Sequence, residues 1–342
     1  MALRGRFETM REILRSSRYF KLVCGAGNEN AEEVRRLAVV YTLAGANGFD
    51  VSAKPEIVSA CGEGIDLAYG YAEHFKVEIT VRPYITVSVG MPGDHHVRKA
   101  FIIDDCVSCD LCIPVCPTDA IPESLEIIPE LCIGCGNCEA ACPPKVAAIR
   151  YRHNGTELAE LLPRCLEAGA ENIELHAAVP GDDAILEEWG VVSASQPDNF
   201  ISMCLDRHHL SNVQLIDRIR AAYAVAGDRT IIQADGVPMS GGFDDHNTTL
   251  QAVAIADVIQ KDLKDKDRAF RDLPILLSGG TNGKTAQMAR LCAVPYQGVS
   301  IGTHARGIVK GWVAENGFEH DLEAIGRAFG PAADLVSRSI AS

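Results

Sequence analysis

The chain has 342 residues, 47% hydrophobic and 23% charged, with a formal net charge of −14. This is the composition of a globular protein with a large core, and an acidic chain without a basic stripe is excluded as a nucleic-acid binder. The longest uncharged apolar run, Leu37 to Ala46, is about half a membrane span, so no spanning helix is expected.

Taken in order, Met1 to Lys21 mixes six basic residues with Glu8 and Glu12 and lacks an apolar stretch. It reads as an amphipathic lead-in helix covering the edge of the domain, not a targeting segment. Tyr19 to Cys24 is an apolar run closed by Gly25-Ala-Gly27 and reads as a buried strand. Glu29 to Ala46 has helical periodicity, Gly48 to Ser52 is a second strand, and Pro55 opens a helix at its first turn. Tyr84 to Val89 is the third strand.

After that strand the pattern changes. Cys106-x2-Cys109-x2-Cys112-x3-Cys116-Pro117 is followed, 15 residues on, by Cys132-x2-Cys135-x2-Cys138-x3-Cys142-Pro143. Short CxxCxxC loops let three thiolates converge on one iron–sulfur cube, and in two-cluster ferredoxins the fourth cysteine crosses to the other cube. The spacing therefore predicts two [4Fe–4S] clusters. One takes Cys106, Cys109, Cys112 and Cys142; the other takes Cys132, Cys135, Cys138 and Cys116. A zinc site would use four ligands, not a third cysteine at the next x2 step, and disulfides would need an oxidising compartment. Asp104 to Pro143 holds eight acidic residues and neither Lys nor Arg. Such a face is either a solvated surface or an electron exit that steers toward a basic redox partner.

Beyond the cysteines the alternation resumes. Helices are expected at Thr156–Ala168, Asp182–Trp189, Asn212–Ala226, Asn247–Leu263 and Lys284–Cys292. Strands are expected at Asn172–His176, Phe200–Leu205, Thr230–Ala234, Pro274–Leu277 and Gln297–Ile301. Eight strands separated by helices match a (β/α)8 barrel of the TIM type, with an open doubly wound sheet as the alternative. The ferredoxin-like α+β segment would be an insertion after strand three. The expected division is 1–92 and 151–342 for the barrel and 93–150 for the insert, whose clusters would hang over the barrel mouth.

Ser278-Gly279-Gly280-Thr281-Asn282-Gly283-Lys284-Thr285 fails as a nucleotide-binding P-loop, because Ser278 stands where the first glycine belongs. In a barrel the loops after strands seven and eight commonly grip a phosphate. Gly279, Gly280, Gly302 and Thr303 have that placement, which is similar to the phosphate grip of flavin-binding barrels such as dihydroorotate dehydrogenases and makes FMN a candidate. Glycines also simply turn tightly at strand ends. Lys54 and Asp235 follow strands two and six and could touch a ligand. Cys24, at the end of strand one, is a rim candidate for redox or nucleophilic work as well as a small buried hydrophobe, and Cys61, Cys165, Cys204 and Cys292 read as small buried hydrophobes. His95-His96 and His208-His209 have no partner at metal spacing, and Lys261 to Asp272 reads as a solvated helix end.

Tyr19-Phe-Lys-Leu-Val-Cys-Gly-Ala-Gly27, Arg36-Leu-Ala-Val-Val-Tyr-Thr-Leu-Ala-Gly-Ala46 and Phe49-Asp-Val-Ser-Ala53, followed by the doubled cysteine motif and a long C-terminal region, resemble the light-dependent period protein A (LdpA) family. That family consists of cyanobacterial iron–sulfur proteins of circadian input. The resemblance implies a cytoplasmic sensor that passes cellular redox state to clock components, with the eight motif cysteines as cluster ligands and no catalytic residues. The expected function is thus electron transfer or redox sensing. The alternative is an oxidoreductase, or a subunit of one, whose barrel holds a flavin or small phosphate-bearing ligand fed by the clusters.

Overall fold

The structure, a computed structural model, describes residues 2–91, 94, 98–153, 158–207, 210–236 and 245–340. It opens with helix α1 (Ala2–Arg15), strand β1 (Tyr19–Val23), α2 (Ala31–Leu43), β2 (Gly48–Ser52), α3 (Pro55–Phe75) and β3 (Tyr84–Gly90). The inserted segment holds β4 (Arg98–Ile102), the short α4 (Asn137–Ala141) and β5 (Ile149–His153). Then come α5 (Leu158–Glu167), β6 (Asn172–His176), α6 (Asp182–Ser195), β7 (Ile201–Leu205), α7 (Asn212–Ala226) and β8 (Thr230–Asp235). The chain ends with α8 (Asp245–Ile259), β9 (Ile275–Ser278), α9 (Thr285–Leu291), β10 (Gly298–Ile301), α10 (Thr303–Gly307), α11 (Lys310–Val313) and α12 (Leu322–Ile340).

Eight strands close into a parallel barrel in the order β1-β2-β3-β6-β7-β8-β9-β10, with β10 returning to β1. This is the barrel expected from the alternation, and the open sheet is ruled out. The strands are buried along almost their whole length, as parallel strands between a core and a ring of helices must be. Local signals set the helices. Asn30 accepts the Glu33 N–H as the N-cap of α2, Pro55 opens α3, and Ser211 and Gln214 form a capping box on α7. Several ends differ from expectation: α6 runs on to Ser195 instead of stopping at Trp189, and α2 stops at Leu43 instead of Ala46. The helix expected to Leu263 gives way to a π-turn over Gln260–Lys264, and Glu29 lies outside α2 because Asn30 caps it.

Helix α1 plugs the N-terminal end of the barrel. Its Met10 and Leu14 pack with Tyr19, Tyr84, Phe200, Ile231 and Leu276. Arg6 stacks on the Tyr84 ring at 3.7 Å and pairs with Glu171 through Nε and Nη2, each at 2.7 Å. The other end stays open and carries the insert, whose two strands pair antiparallel from Arg98↔His153 to Ile102↔Ile149. Among the described residues no helix is long and apolar enough to cross a membrane. His95-His96 and His208-His209 lie outside the described residues.

Candidate iron–sulfur centre and barrel mouth

The inserted segment has almost no regular structure because its core is sulfur. Cys112, Cys132 and Cys138 are buried with Ala100, Ala120, Ile121 and Ile149, and all eight motif cysteines are free thiols. They fall around two cavities. One is lined by Cys106, Cys109, Cys112 and Cys142, the other by Cys132, Cys135, Cys138 and Cys116. Each cavity thus draws three sulfurs from one motif and the fourth from the other.

Backbone amides point at these sulfurs. Ser108, Ala120, Ala148 and Ala100 donate N–H to Sγ of Cys106, Cys116, Cys142 and Cys132 at 3.4, 3.2, 3.3 and 3.3 Å. Two non-glycine residues inside the first motif, Ser108 and Asp110, take positive φ to bring the sulfurs round. Burial and the neighbouring Cys135 and Cys132 push the Cys138 thiol up to about 12. Crowded sulfurs of this kind suit a cation that replaces their protons. Four soft thiolates around each hollow, with N–H donors aimed at them, fit iron–sulfur cubes.

The insert sits on the loop after β1. Lys99 of β4 donates to the carbonyls of Gly27, Cys132 and Pro129 and pairs with Glu29 at 3.4 Å. The Glu29 N–H donates to the Glu130 carbonyl at 2.9 Å. Gly27 is a close-approach glycine, since a Cβ there would lie 3.0 Å from the Cys132 carbonyl oxygen.

Beneath this junction the barrel mouth holds an open cavity with room of about 80 Å³ for the centres of water-sized molecules. Gly279, Gly280, Gly302 and Thr303 all line it, so the structure brings the four rim residues together. Their glycines have a packing reason as well. At Gly279 (φ +65°) an added Cβ would fall 1.5 Å from Asp235 Oδ1, and at Gly280 (φ +55°) 2.8 Å from the Thr248 side chain. Asp235 also lines the cavity, but Lys54 is absent from its wall and pairs instead with Glu29. Of the five remaining cysteines, Cys24, Cys61, Cys165 and Cys204 are buried as expected, whereas Cys292 is exposed just past α9.

Sequence reading missed a buried polar network in the barrel interior that reaches this cavity through Glu174, His176 and Asp235. Barrel interiors are usually filled by branched apolar side chains, but here Lys21, Asp50 and Glu174 are 2% exposed or less. Lys21 Nζ pairs with Asp50 at 3.1 Å and with Glu174. Ser88 donates to Asp50 at 2.5 Å and Ser202 to Glu174 at 2.9 Å. Cys204 Sγ donates to Asp235 at 3.0 Å, and His176 Nε2 lies 3.4 Å from Glu174 Oε1. Burial alone would lower the Lys21 pKa, but Glu174 and Asp50 together raise it. Burial, then Glu174, pushes the Asp50 carboxyl up to about 6 against the pull of Lys21.

A closed parallel barrel bearing a two-motif cysteine insert at its open end defines an iron–sulfur redox protein. A model of the 4Fe-4S binding domain matches residues 100–121 and 125–146, and one of the light dependent period A C-terminal domain matches residues 165–336. The chain belongs to the light dependent period A family. Light dependent period A of Synechococcus elongatus is 29% identical over 318 residues, covering 92% of this chain and 85% of that protein. Protein NrfC of Escherichia coli K12 is 34% identical over 90 residues, which are 24% of this chain and 39% of NrfC. Among solved structures, the YdjI aldolase of Escherichia coli K12 matches with a TM-score of 0.50 over 97% of both chains at 9% identity, a likeness of fold alone.

Proposed function

We propose that this chain is a redox sensor or electron-transfer protein holding two [4Fe–4S] clusters in the insert 93–150, with the segments 1–92 and 151–342 as its barrel support. Cys106, Cys109, Cys112 and Cys142 would hold one cluster and Cys132, Cys135, Cys138 and Cys116 the other. The observation that carries this reading is the exchange of fourth cysteines between the two sulfur-lined cavities. When bound, such clusters supply reversible one-electron transfer. The chain's own part is to fix the sulfurs, donate N–H groups to them and exclude water with Ile121 and Ile149.

The exit for electrons is the cluster face farthest into solvent. Cys109 is exposed, and beside it in sequence Val107 and Leu111 are 62% and 51% exposed. Asp104, Asp105 and Asp110 surround them in sequence, also exposed. An apolar patch in an acidic field suits a small, basic redox protein. Membership of the family supports a cytoplasmic place and a redox-input role toward a clock. The oxidoreductase alternative rests on the barrel-mouth cavity. Nothing at its rim distinguishes FMN from another anion, and packing alone accounts for Gly279 and Gly280. Denaturing anaerobic protein separates the two readings: released flavin favours the enzyme, iron and sulfide alone the sensor.

The crossed ligand set has its own test. Cys116→Ser is expected to disturb the cluster held by Cys132, Cys135 and Cys138 and leave the other intact. Iron analysis and low-temperature electron paramagnetic resonance of the reduced protein would read this. Selective damage to the Cys106–Cys112 site would overturn the assignment.

A further inference from the structure

Glu174 and Asp235, the two carboxylates on the wall of the barrel-mouth cavity, are both engaged. Glu174 accepts from Lys21 and Ser202, and Asp235 accepts from Cys204. The cation on the same wall is not. Arg306, one turn after β10, is 9% exposed, and its Nε has no hydrogen-bond partner. No carboxylate among the described residues pairs with its guanidinium. A guanidinium is a permanent cation with five donors in a planar fork, shaped for carboxylate or phosphate. Burying one unpaired is costly, and proteins place one so where an anion completes it.

We propose that the barrel mouth binds a small metabolite carrying a carboxylate or phosphate. Arg306 takes the oxyanion and Thr303 adds a hydroxyl on the same wall, while hydroxyl or amine groups of the ligand face Glu174 and Asp235. Ile133 of the insert, next in the chain to Cys132, closes the cavity from above. A ligand on Arg306 would therefore touch both the barrel and the cysteine-bearing insert. Anion binding at Arg306 requires no particular set of cluster ligands, so its failure and that of the redox reading are distinguishable.

The test uses anaerobically purified full-length protein, unfolded thermally at fixed ionic strength in chloride, with inorganic phosphate or acetate titrated in separate arms. At least one anion is expected to raise Tm saturably, and the arm that does so identifies the oxyanion class. Arg306→Met is expected to weaken that response by more than roughly tenfold. Without added anion the same variant should melt at or above the wild type, because an uncompensated buried charge is gone. Arg306→Lys should keep part of the response. Three results would each overturn the proposal: neither anion exceeding chloride, the methionine variant responding like the wild type, or that variant melting lower or failing to fold without anion, which would mark Arg306 as a structural partner.

Discussion

Lys21 shows how a single residue can govern the interior. Its ammonium lies between Asp50 and Glu174 with essentially no water, and breaking such a buried pair by removing one partner costs about 3–5 kcal/mol. Lys21→Met is expected to lose stability of that order at neutral pH, measured by urea unfolding under anaerobic conditions. The same triad sets a pH dependence. The folded Asp50 carboxyl titrates near 6, above its ordinary value of 3.8, so the folded state holds this proton more tightly than the unfolded chain. Its contribution is fully present below the ordinary value and declines as pH rises through the folded one. The slope between pH 5 and 6 is up to about 1.4 kcal/mol per unit. Asp50→Asn should flatten that segment of the stability profile, and an unchanged slope would show that another group carries it. None of this was legible from Tyr19-Phe-Lys-Leu-Val23 alone. A lone lysine inside an apolar run has no visible counter-ion when its partners stand 29 and 153 residues away. Arg306 escaped notice for the same reason, its isolation being a property of the folded barrel.

Elements were easier to read than their contents. Fully buried parallel strands tend to be apolar runs, so Phe200–Leu205 announced itself, whereas Asn172–His176, interrupted by Asn172, Glu174 and His176, was legible from its place between two helical stretches, and helices announced their starts at Pro55 and Asn212. The grouping of the eight motif cysteines around two cavities was legible because it is encoded in local spacing, whereas packing between helices is not local. Gly64, inside α3, is the clearest case: a Cβ there would lie 2.2 Å from the Arg35 carbonyl oxygen of α2 and 2.8 Å from Ala38 Cβ. Gly70 on the same helix has nothing within 4 Å. Gly64→Ala should therefore destabilise by about 1–3 kcal/mol through forced separation of the two helices. Gly70→Ala should be neutral or stabilising by up to about 1 kcal/mol through helix propensity. Urea midpoints for the two variants check the contrast, and equal shifts would mean that α2 and α3 do not approach so closely.

At the scale of the whole molecule, charge is arranged by domain. Cations tie insert and barrel together from both sides: Lys99 of the insert pairs with Glu29, which Lys54 of the barrel also holds, and Lys310 of the barrel pairs with Asp119 of the insert at 2.7 Å. The eight acidic residues between Asp104 and Pro143 are all exposed. Lys99 and Lys310 bind the insert to the barrel, and most of the acids are left to face solvent. A field of that kind acts at a distance set by screening, about 30 Å at 0.01 M ionic strength and 8 Å at 0.15 M. Electron transfer from the reduced protein to a small basic haem protein, followed by stopped flow, should slow as salt rises across that range. Replacing Asp104, Asp105 and Asp110 by Asn should reduce the salt dependence. Replacing Val107 and Leu111 by Ser should instead slow the reaction at every ionic strength, because it removes apolar contact but no charge. A rate indifferent to salt would mean that the acidic face is only a solvated surface and that partners dock elsewhere.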